Sequence, residues 1–208
     1  EPETLSGIVE ASFRDRNVAR RSAHEEKLKD IDSDLLLKKL TEFVVTESNR
    51  VHRAFAWSIG LLLSLNFLIL MILLVCWLMK KDVDGLLLAF GSLPSGFLEL
   101  ILMRRKSAVF QATKRVILLA RKLKSGSCVG PLLDILGCKV DSAQNRTELI
   151  ECLRIPLNRI DSAQVAQLTA HQLKTLEKLV MDEPNEHVTL GGILVLGSAG
   201  YRVAEWET

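Results

Sequence analysis

Apolar residues are distributed unevenly along this chain, and the longest run of them lies in its first half. Residues 54–79 comprise 26 positions without a charged side chain. As a helix this run is about 39 Å long, which exceeds the roughly 30 Å hydrocarbon core of a bilayer. A buried core helix is the alternative interpretation, but such helices are commonly shorter and interrupted by polar positions. The pattern therefore predicts a transmembrane helix.

A second apolar run occupies residues 85–103, after a five-residue connection. As a helix it is about 28 Å long, close to the thickness of the bilayer core. Pro94 removes a backbone donor, so we expect a kink there. The two runs together predict a transmembrane helical hairpin. A re-entrant segment that turns at residues 92–96 is the alternative for the second run.

The charges that flank the two runs predict an orientation. Arg50 and Arg53 precede the first run, and a larger basic group follows the second. The members of that group considered for contact with lipid headgroups are Arg104, Arg105, Lys106, Lys114 and Arg115. Because positive charge accumulates on the cytoplasmic side, we expect an integral membrane protein with two spans and both termini cytoplasmic. These side chains then bind anionic headgroups or only set the topology, and both interpretations stay open.

Amphipathic stripes border the predicted hairpin on both sides. Leu28, Ile31, Leu35, Leu36, Leu40, Phe43 and Val44 recur at intervals of three and four residues. Residues 107–124 carry a second stripe of the same period, which predicts a helix there as well. No proline or glycine separates the first stripe from residue 54, so one helix is able to continue into the apolar run. The first stripe needs a partner, either the segment after the second run or another copy of the chain.

The last third of the chain alternates helical periodicity with turn signals. Pro131 suits the first turn of a helix and Gly137 suits its end, while Thr169 is able to cap a later helix. The pair Gly191-Gly192 indicates close helix packing, and residues 197–200 indicate a helix end. Short helices with turns at this spacing are typical of an α-solenoid. The predicted fold class is therefore all-α.

Composition and charge exclude several classes of protein. The chain has 208 residues, a formal net charge of +2 and 48% hydrophobic residues. Its apolar content is too high for a disordered chain, and its near-neutral charge makes no case for nucleic-acid binding. Four cysteines are too few for a disulfide scaffold. We expect Cys128, Cys138 and Cys152 to remain thiols that act as small apolar packing groups.

The candidate chemistry is sparse. The four histidines are scattered without the spacing of a metal site, and the cysteines lack a close Cys-x-x-Cys pair. The glycine pairs have no preceding strand and no following lysine, so they do not resemble a phosphate-binding loop. We therefore expect no enzyme activity, no metal and no cofactor.

Polar residues within the predicted hairpin are the remaining candidates. Asn66 lies in the middle of the first run, where its amide needs a partner in the hairpin or in a second copy. Glu99 is the acidic residue of the second run, and it is either functional or packed near the basic residues that follow. The residues expected to pack the helices together are Asn66, Ser92, Pro94, Ser95 and Gly96.

Two stretches resemble known families. Residues 181–206 (MDEPNEHVTLGGILVLGSAGYRVAEW) and residues 127–136 (SCVGPLLDIL) resemble bacterial HEAT-type helical repeats. Residues 93–99 (LPSGFLE) with the arginines that follow are similar to a bacterial membrane hairpin found beside TRADD-N modules in predicted immunity proteins. The first resemblance implies a repeat surface for protein binding, or more remotely a phycobilin-lyase-type enzyme. The second implies an oligomeric effector.

These observations predict four regions. They are an N-terminal cytoplasmic tail with an amphipathic helix (1–53), a transmembrane hairpin (54–103), a basic juxtamembrane helix (104–124) and HEAT-like repeats (125–208). The expected function is a non-enzymatic, membrane-anchored scaffold or sensor. Its expected partners are the lipid bilayer, an unknown protein bound through the repeats, and further copies of itself, without nucleic acid. The alternative is an oligomeric membrane pore or effector that the repeats regulate.

Overall fold

The computed structural model describes residues 4–15, 18–28, 31–78, 95–138, 143–182 and 185–201. Within these ranges the regular elements are helices without a strand, which fits the predicted all-α class. The helices are α1 (Leu5–Arg14), α2 (Val18–Lys27), α3 (Ser33–Leu78), α4 (Ser95–Leu123), α5 (Val129–Leu136), α6 (Ala143–Leu157), α7 (Ser162–Val165), α8 (Ala170–Asp182) and α9 (Glu186–Ser198). A 3₁₀ turn at Gly126–Cys128 precedes α5.

The predicted membrane hairpin is overturned. Among the residues that the structure describes, no helix is both long enough and apolar enough to cross a membrane. Residues 54–78 continue α3 from its charged first half, as the sequence allowed. The predictions of an integral membrane protein with two spans, of membrane anchoring and of a transmembrane hairpin at residues 54–103 are therefore wrong.

The second predicted span is also corrected by the position of α4. This helix begins at Ser95, and only nine residues precede Arg104. The remainder of the predicted span, residues 85–94, lies outside the described residues.

Local hydrogen bonds explain where several helices begin. The Thr169 hydroxyl accepts from the Gln172 backbone N–H at 3.2 Å, and the Gln172 side chain accepts from the Thr169 N–H at 2.8 Å. Asp161 and Gln164 form the same reciprocal capping box ahead of α7. Each box satisfies two backbone donors that a helix start leaves unpaired. The predicted cap at Thr169 is confirmed.

The stripe of the N-terminal region finds its partner within the same chain. Its buried members join one hydrophobic cluster with the buried side of α4. The cluster members from these two segments are Leu28, Leu37, Leu40, Val44, Val109, Ala112, Val116, Ile117 and Ala120. Of the two partners that the sequence allows, the segment after the second apolar run is therefore the observed one. Phe13 of α1 adds to this core by stacking on Phe43 at 5.3 Å between ring centroids.

Four C-terminal helices enclose the rest of the core. α5 and α9 each pack against both α6 and α8. The fully buried leucines and isoleucine of this group are Leu132, Leu133, Ile135, Leu149, Leu153, Leu176 and Leu196. Pro131 lies in the first turn of α5 and Gly137 follows its end, as predicted. Gly200 has a φ of +63°, a left-handed conformation that suits glycine after a helix end.

The chain divides into two compact units. Residues 1–49 and 108–208 form the first, and residues 50–107 form the second. The first unit therefore combines most of the predicted N-terminal tail with the C-terminal region. The sequence predicted these as two separate regions.

A buried carboxylate ties α1 to α3. The Glu47 side chain is only 3% exposed, and it forms an ion pair with Arg14, which also pairs with the half-exposed Glu10 on α1. A buried carboxylate is costly unless a cation or hydrogen bonds compensate it. The Arg14–Glu47 pair is therefore expected to matter more for stability than the Arg14–Glu10 pair.

We expect Arg14→Met to lower the free energy of unfolding by about 1–3 kcal/mol, because it removes the guanidinium from a buried carboxylate. Glu10→Gln removes only an exposed pair and should cost at most about 0.5 kcal/mol. Urea denaturation followed by circular dichroism measures both. Equal losses in the two variants would contradict the importance of burial at Glu47.

Two glycines of α9 provide a second test of the packing. A Cβ at Gly192 would overlap Val180 Cγ2 of α8, whereas a Cβ at Gly197 meets open space. Gly192→Ala should therefore destabilise the protein by about 1–2 kcal/mol, since overpacking outweighs the gain in helix propensity. Gly197→Ala should stabilise it by about 0.5–1 kcal/mol. Thermal unfolding of both variants checks this, and a stable Gly192→Ala variant would contradict the close approach of α8 and α9.

Candidate functional site

The residues predicted to pack a membrane hairpin are not brought together as a described cluster. Asn66 lies in α3, while Ser95, Gly96 and Glu99 lie in the first two turns of α4. Ser92 and Pro94 fall outside the described residues. The intramembrane roles predicted for these residues depended on the transmembrane hairpin, which is overturned.

The basic residues predicted to face lipid headgroups all lie on α4. Three of them contact aromatic rings of this chain: Lys106 lies 5.7 Å from the Phe55 centroid, Lys114 lies 4.8 Å from that of Phe110, and the Arg115 guanidinium carbon lies 4.8 Å from that of Phe13. Arg115 also forms an ion pair with Glu25. Arg104 and Arg105 are placed on the same helix. These contacts give Lys106, Lys114 and Arg115 partners within the fold.

Large apolar side chains are exposed along α3 in the described part of the second unit. Trp57 is 80% exposed and Phe67 is 65% exposed, so large side chains stand in solvent there. We call this surface the α3 seam. Its central residues are Trp57, Gly60, Ser64, Phe67 and Met71, with Ala56, Leu68 and Val75 beside them.

The central residues of the seam follow the spacing of a coiled coil. They are separated alternately by three and four residues. At about 100° per residue, all eight seam residues fall within about 120° of one another around the helix. Alternate spacing of three and four places side chains in the narrow strip through which two helices pack. The seam therefore has the geometry of a helix-pairing surface.

The small residues of the seam form a groove between larger neighbours. Ala56, Gly60 and Ser64, with Trp57, are the described residues that line a groove of about 530 Å³. The Ser64 hydroxyl donates to the Gly60 carbonyl at 2.8 Å, so it is already satisfied within the helix. An apolar surface that covers this groove therefore leaves no unpaired donor at Ser64, because the hydroxyl keeps its hydrogen bond to the Gly60 carbonyl.

The opposite side of α3 explains why the seam is open. Val51 is 1% exposed and Ser58 is 9% exposed, and both lie about half a turn around the helix from the seam. Phe55, which contacts Lys106 of α4, lies on that same inner side. Within the described part of this unit, α3 is therefore buried at Val51 and Ser58, whereas the described side chains of the seam are exposed, as are Ile59 and Leu70 outside it.

Three cysteines with described side chains lie in the first unit. Cys128 and Cys152 are buried free thiols, and Cys138 is half-buried and donates to the Asp134 carbonyl at 3.3 Å. Burial raises the pKa of the Cys128 thiol. Burial also raises the pKa of Cys152, although nearby Arg121 acts in the opposite direction. Among the described residues, no cluster of histidine, cysteine and acidic side chains is able to hold a metal ion.

The chain matches no known protein-family model, and no curated protein or solved structure is significantly similar to it. Nothing in these comparisons bears on the resemblances to HEAT-type repeats and to the TRADD-N-associated membrane hairpin, so the predicted HEAT repeats are unsupported.

Sequence analysis missed the seam for a physical reason. Nearly every position from 54 to 79 is apolar, so hydropathy alone does not separate one face of α3 from another. The spacing of Gly60 and Ser64 among larger residues was the available signal. Only the burial of Val51 and Ser58 distinguishes the inner side of the helix from the outer one.

We expect Cys128 and Cys152 to react with iodoacetamide at least tenfold more slowly than Cys138 in the native protein. Alkylation requires an accessible thiolate, and burial both shields these two sulfurs and raises their pKa. Peptide mass spectrometry after timed alkylation measures each rate, with the urea-unfolded protein as the control in which the three rates converge. Equal native rates would refute the packing role of these thiols.

Proposed function

We propose that this protein is a non-enzymatic helical assembly module that binds a second copy of itself through the α3 seam. The observation that carries the proposal is the exposure of large apolar side chains at coiled-coil spacing on one face of α3. Contiguous exposed apolar patches on folded proteins commonly mark interaction sites, because leaving them in water is unfavourable. Burying one such side chain contributes about 1.5–3 kcal/mol.

A second copy is favoured as the occupant because the seam is complementary to itself. If two α3 helices pair antiparallel about a two-fold axis between residues 65 and 66, Ser64 faces Phe67 of the other copy. The same axis places Gly60 opposite Met71. Each small residue then meets a large one, as packing at constant density requires. A two-fold axis uses the same patch on both copies, which is the usual arrangement of homodimers.

The parallel arrangement fits less well. It places Gly60 opposite Gly60 and Phe67 opposite Phe67. The helix axes then have to be close together at Gly60 and farther apart at Phe67. A straight pair of helices does not meet both requirements without a void or a clash. We therefore propose the antiparallel pair.

The proposed module acts by joining copies of the chain and presenting the helices of the first unit on the resulting dimer. The alternative of an oligomeric membrane pore depended on two transmembrane spans and is not retained. The proposal keeps the protein–protein interaction that the sequence predicted and replaces the predicted anchor with a dimer interface.

Two lysine substitutions test whether the seam mediates the association. Phe67 and Leu70 are 65% and 64% exposed, but only Phe67 belongs to the seam. Phe67→Lys should weaken self-association at least tenfold, about 1.4 kcal/mol, because it buries charge at the interface. Leu70→Lys should leave association nearly unchanged. Sedimentation equilibrium over a dilution series measures both, and circular dichroism confirms equal helicity.

A monomeric wild-type chain across the whole dilution series would overturn the proposal. Equal weakening by Phe67→Lys and Leu70→Lys would also overturn it, because the seam would then have no special role.

A rescue experiment tests the antiparallel register. A Cβ at Gly60 meets open space within one copy, so Gly60→Met is compatible with the fold of a single chain. In the antiparallel pair the new side chain faces Met71 of the other copy and should weaken association at least tenfold. Adding Met71→Ala makes room for it and should restore most of the affinity. If Met71→Ala only weakens association further, the antiparallel register is wrong. That result does not affect the test of the seam itself, which depends on the two lysine variants.

A further inference from the structure

A small basic groove lies in the first unit. It has a volume of about 190 Å³ and lies where the end of α5 meets the first turn of α6 and one face of α8. Its lining residues are Leu136, Gly137, Arg146, His171, Lys174, Thr175, Lys178 and Leu179. Three cationic side chains and one histidine thus surround a groove whose described lining contains no acidic residue.

Helix geometry places most of these groups together. His171, Lys174, Thr175 and Lys178 are spaced three, four and seven residues from the first, so they share one face of α8. Leu179 on the adjoining side is buried in the core, which orients that face outward at the groove. Arg146 reaches the groove from α6.

The cations of the groove keep their charge available. Within the described residues, Arg146, Lys174 and Lys178 form no ion pair with a carboxylate. The nearby carboxylate of Asp134 accepts a hydrogen bond from the Gln172 amide at 3.0 Å and interacts electrostatically with His171. Among the described residues, Asp134 is therefore a partly compensated acid beside the basic groups of the groove.

The helix ends around the groove add to its preference for an anion. Arg146 is the fourth residue of α6, so the groove lies beside the positive end of that helix dipole. The last turn of α5 also lies at the groove, and two of its carbonyls accept backbone hydrogen bonds. The Gly137 N–H donates to the Leu133 carbonyl at 2.9 Å, and the Cys138 N–H donates to the Ile135 carbonyl at 3.0 Å.

Gly137 keeps the groove open. A Cβ at this position would lie 2.7 Å from His171 Cε1 and 3.2 Å from Thr175 Oγ1. A larger residue would therefore push the imidazole and the hydroxyl out of their present positions. The absence of a side chain at residue 137 lets both polar groups face the same space.

The size of the groove limits the class of ligand. Its volume equals that of about six water molecules, and drug-sized ligands need about 300–1,000 Å³. A tetrahedral oxyanion is small enough, and lysine and arginine side chains are the usual cationic donors to phosphate oxygens. We propose that this groove binds a phosphate dianion, either free or as the monoester of a small molecule.

Titration with inorganic phosphate tests this proposal on the full chain. The imidazole resonance of His171, identified by its loss in His171→Gln, should shift with saturation as phosphate is added, while sodium chloride at equal ionic strength should not reproduce the shift. Glycerol 3-phosphate serves as the monoester probe. Binding of both probes identifies the phosphate group as the recognised feature, and binding of inorganic phosphate alone identifies the free ion.

Variants assign the binding to the groove. Replacing both Lys174 and Lys178 with glutamine should weaken phosphate binding at least tenfold, and Gly137→Ala should also weaken it by crowding His171. Lys38→Gln, at an exposed position on α3, is the control with unchanged affinity. Isothermal titration calorimetry measures the affinities, and circular dichroism establishes that the variants are folded.

The proposal is overturned if chloride reproduces the whole shift of His171 at equal ionic strength. It is also overturned if Lys38→Gln weakens phosphate binding as much as the Lys174 and Lys178 replacements do, since binding would then reflect general positive charge.

Discussion

The packing of the first half of α3 against α4 is the interaction on which the rest of the fold depends. Leu37, Leu40 and Val44 meet the buried side of α4, including Val116 and Ile117, in one hydrophobic cluster. These segments are about 70 residues apart in the sequence, so their contact closes a long loop. Closing a loop of this length costs conformational entropy, which the burial of several large apolar side chains offsets.

The same contact positions the C-terminal helices. Ser127, after the end of α4, donates to Asp34 near the start of α3 at 3.0 Å. Arg159 donates to the Lys124 carbonyl at 3.2 Å, and the core of α5 continues the cluster formed by α3 and α4. The basic groove is built on the outer side of this C-terminal group. The α3 seam belongs to the other unit and uses a surface that this core does not bury.

The parts of the fold that sequence reasoning predicted correctly depend on short-range physics. A capping hydrogen bond at Thr169 joins residues three positions apart, and Pro131 and Gly137 act on the turn in which they stand. The continuous helix across residue 54 follows from the absence of a proline or glycine nearby. The predicted membrane hairpin was wrong because, among the described residues, no helix is both long enough and apolar enough to cross a membrane.

The sequence by itself determined that the described chain is helical, where several helices begin and end, and which stripe of the N-terminal region required burial. These properties follow from side chains that act on backbone groups within one or two turns. Only the tertiary structure decided that the stripe is covered by α4, that one face of α3 stays open, and that Arg146 lies beside His171, Lys174 and Lys178. Those outcomes depend on which distant helices pack together, and packing between distant helices is not encoded in the spacing of neighbouring residues.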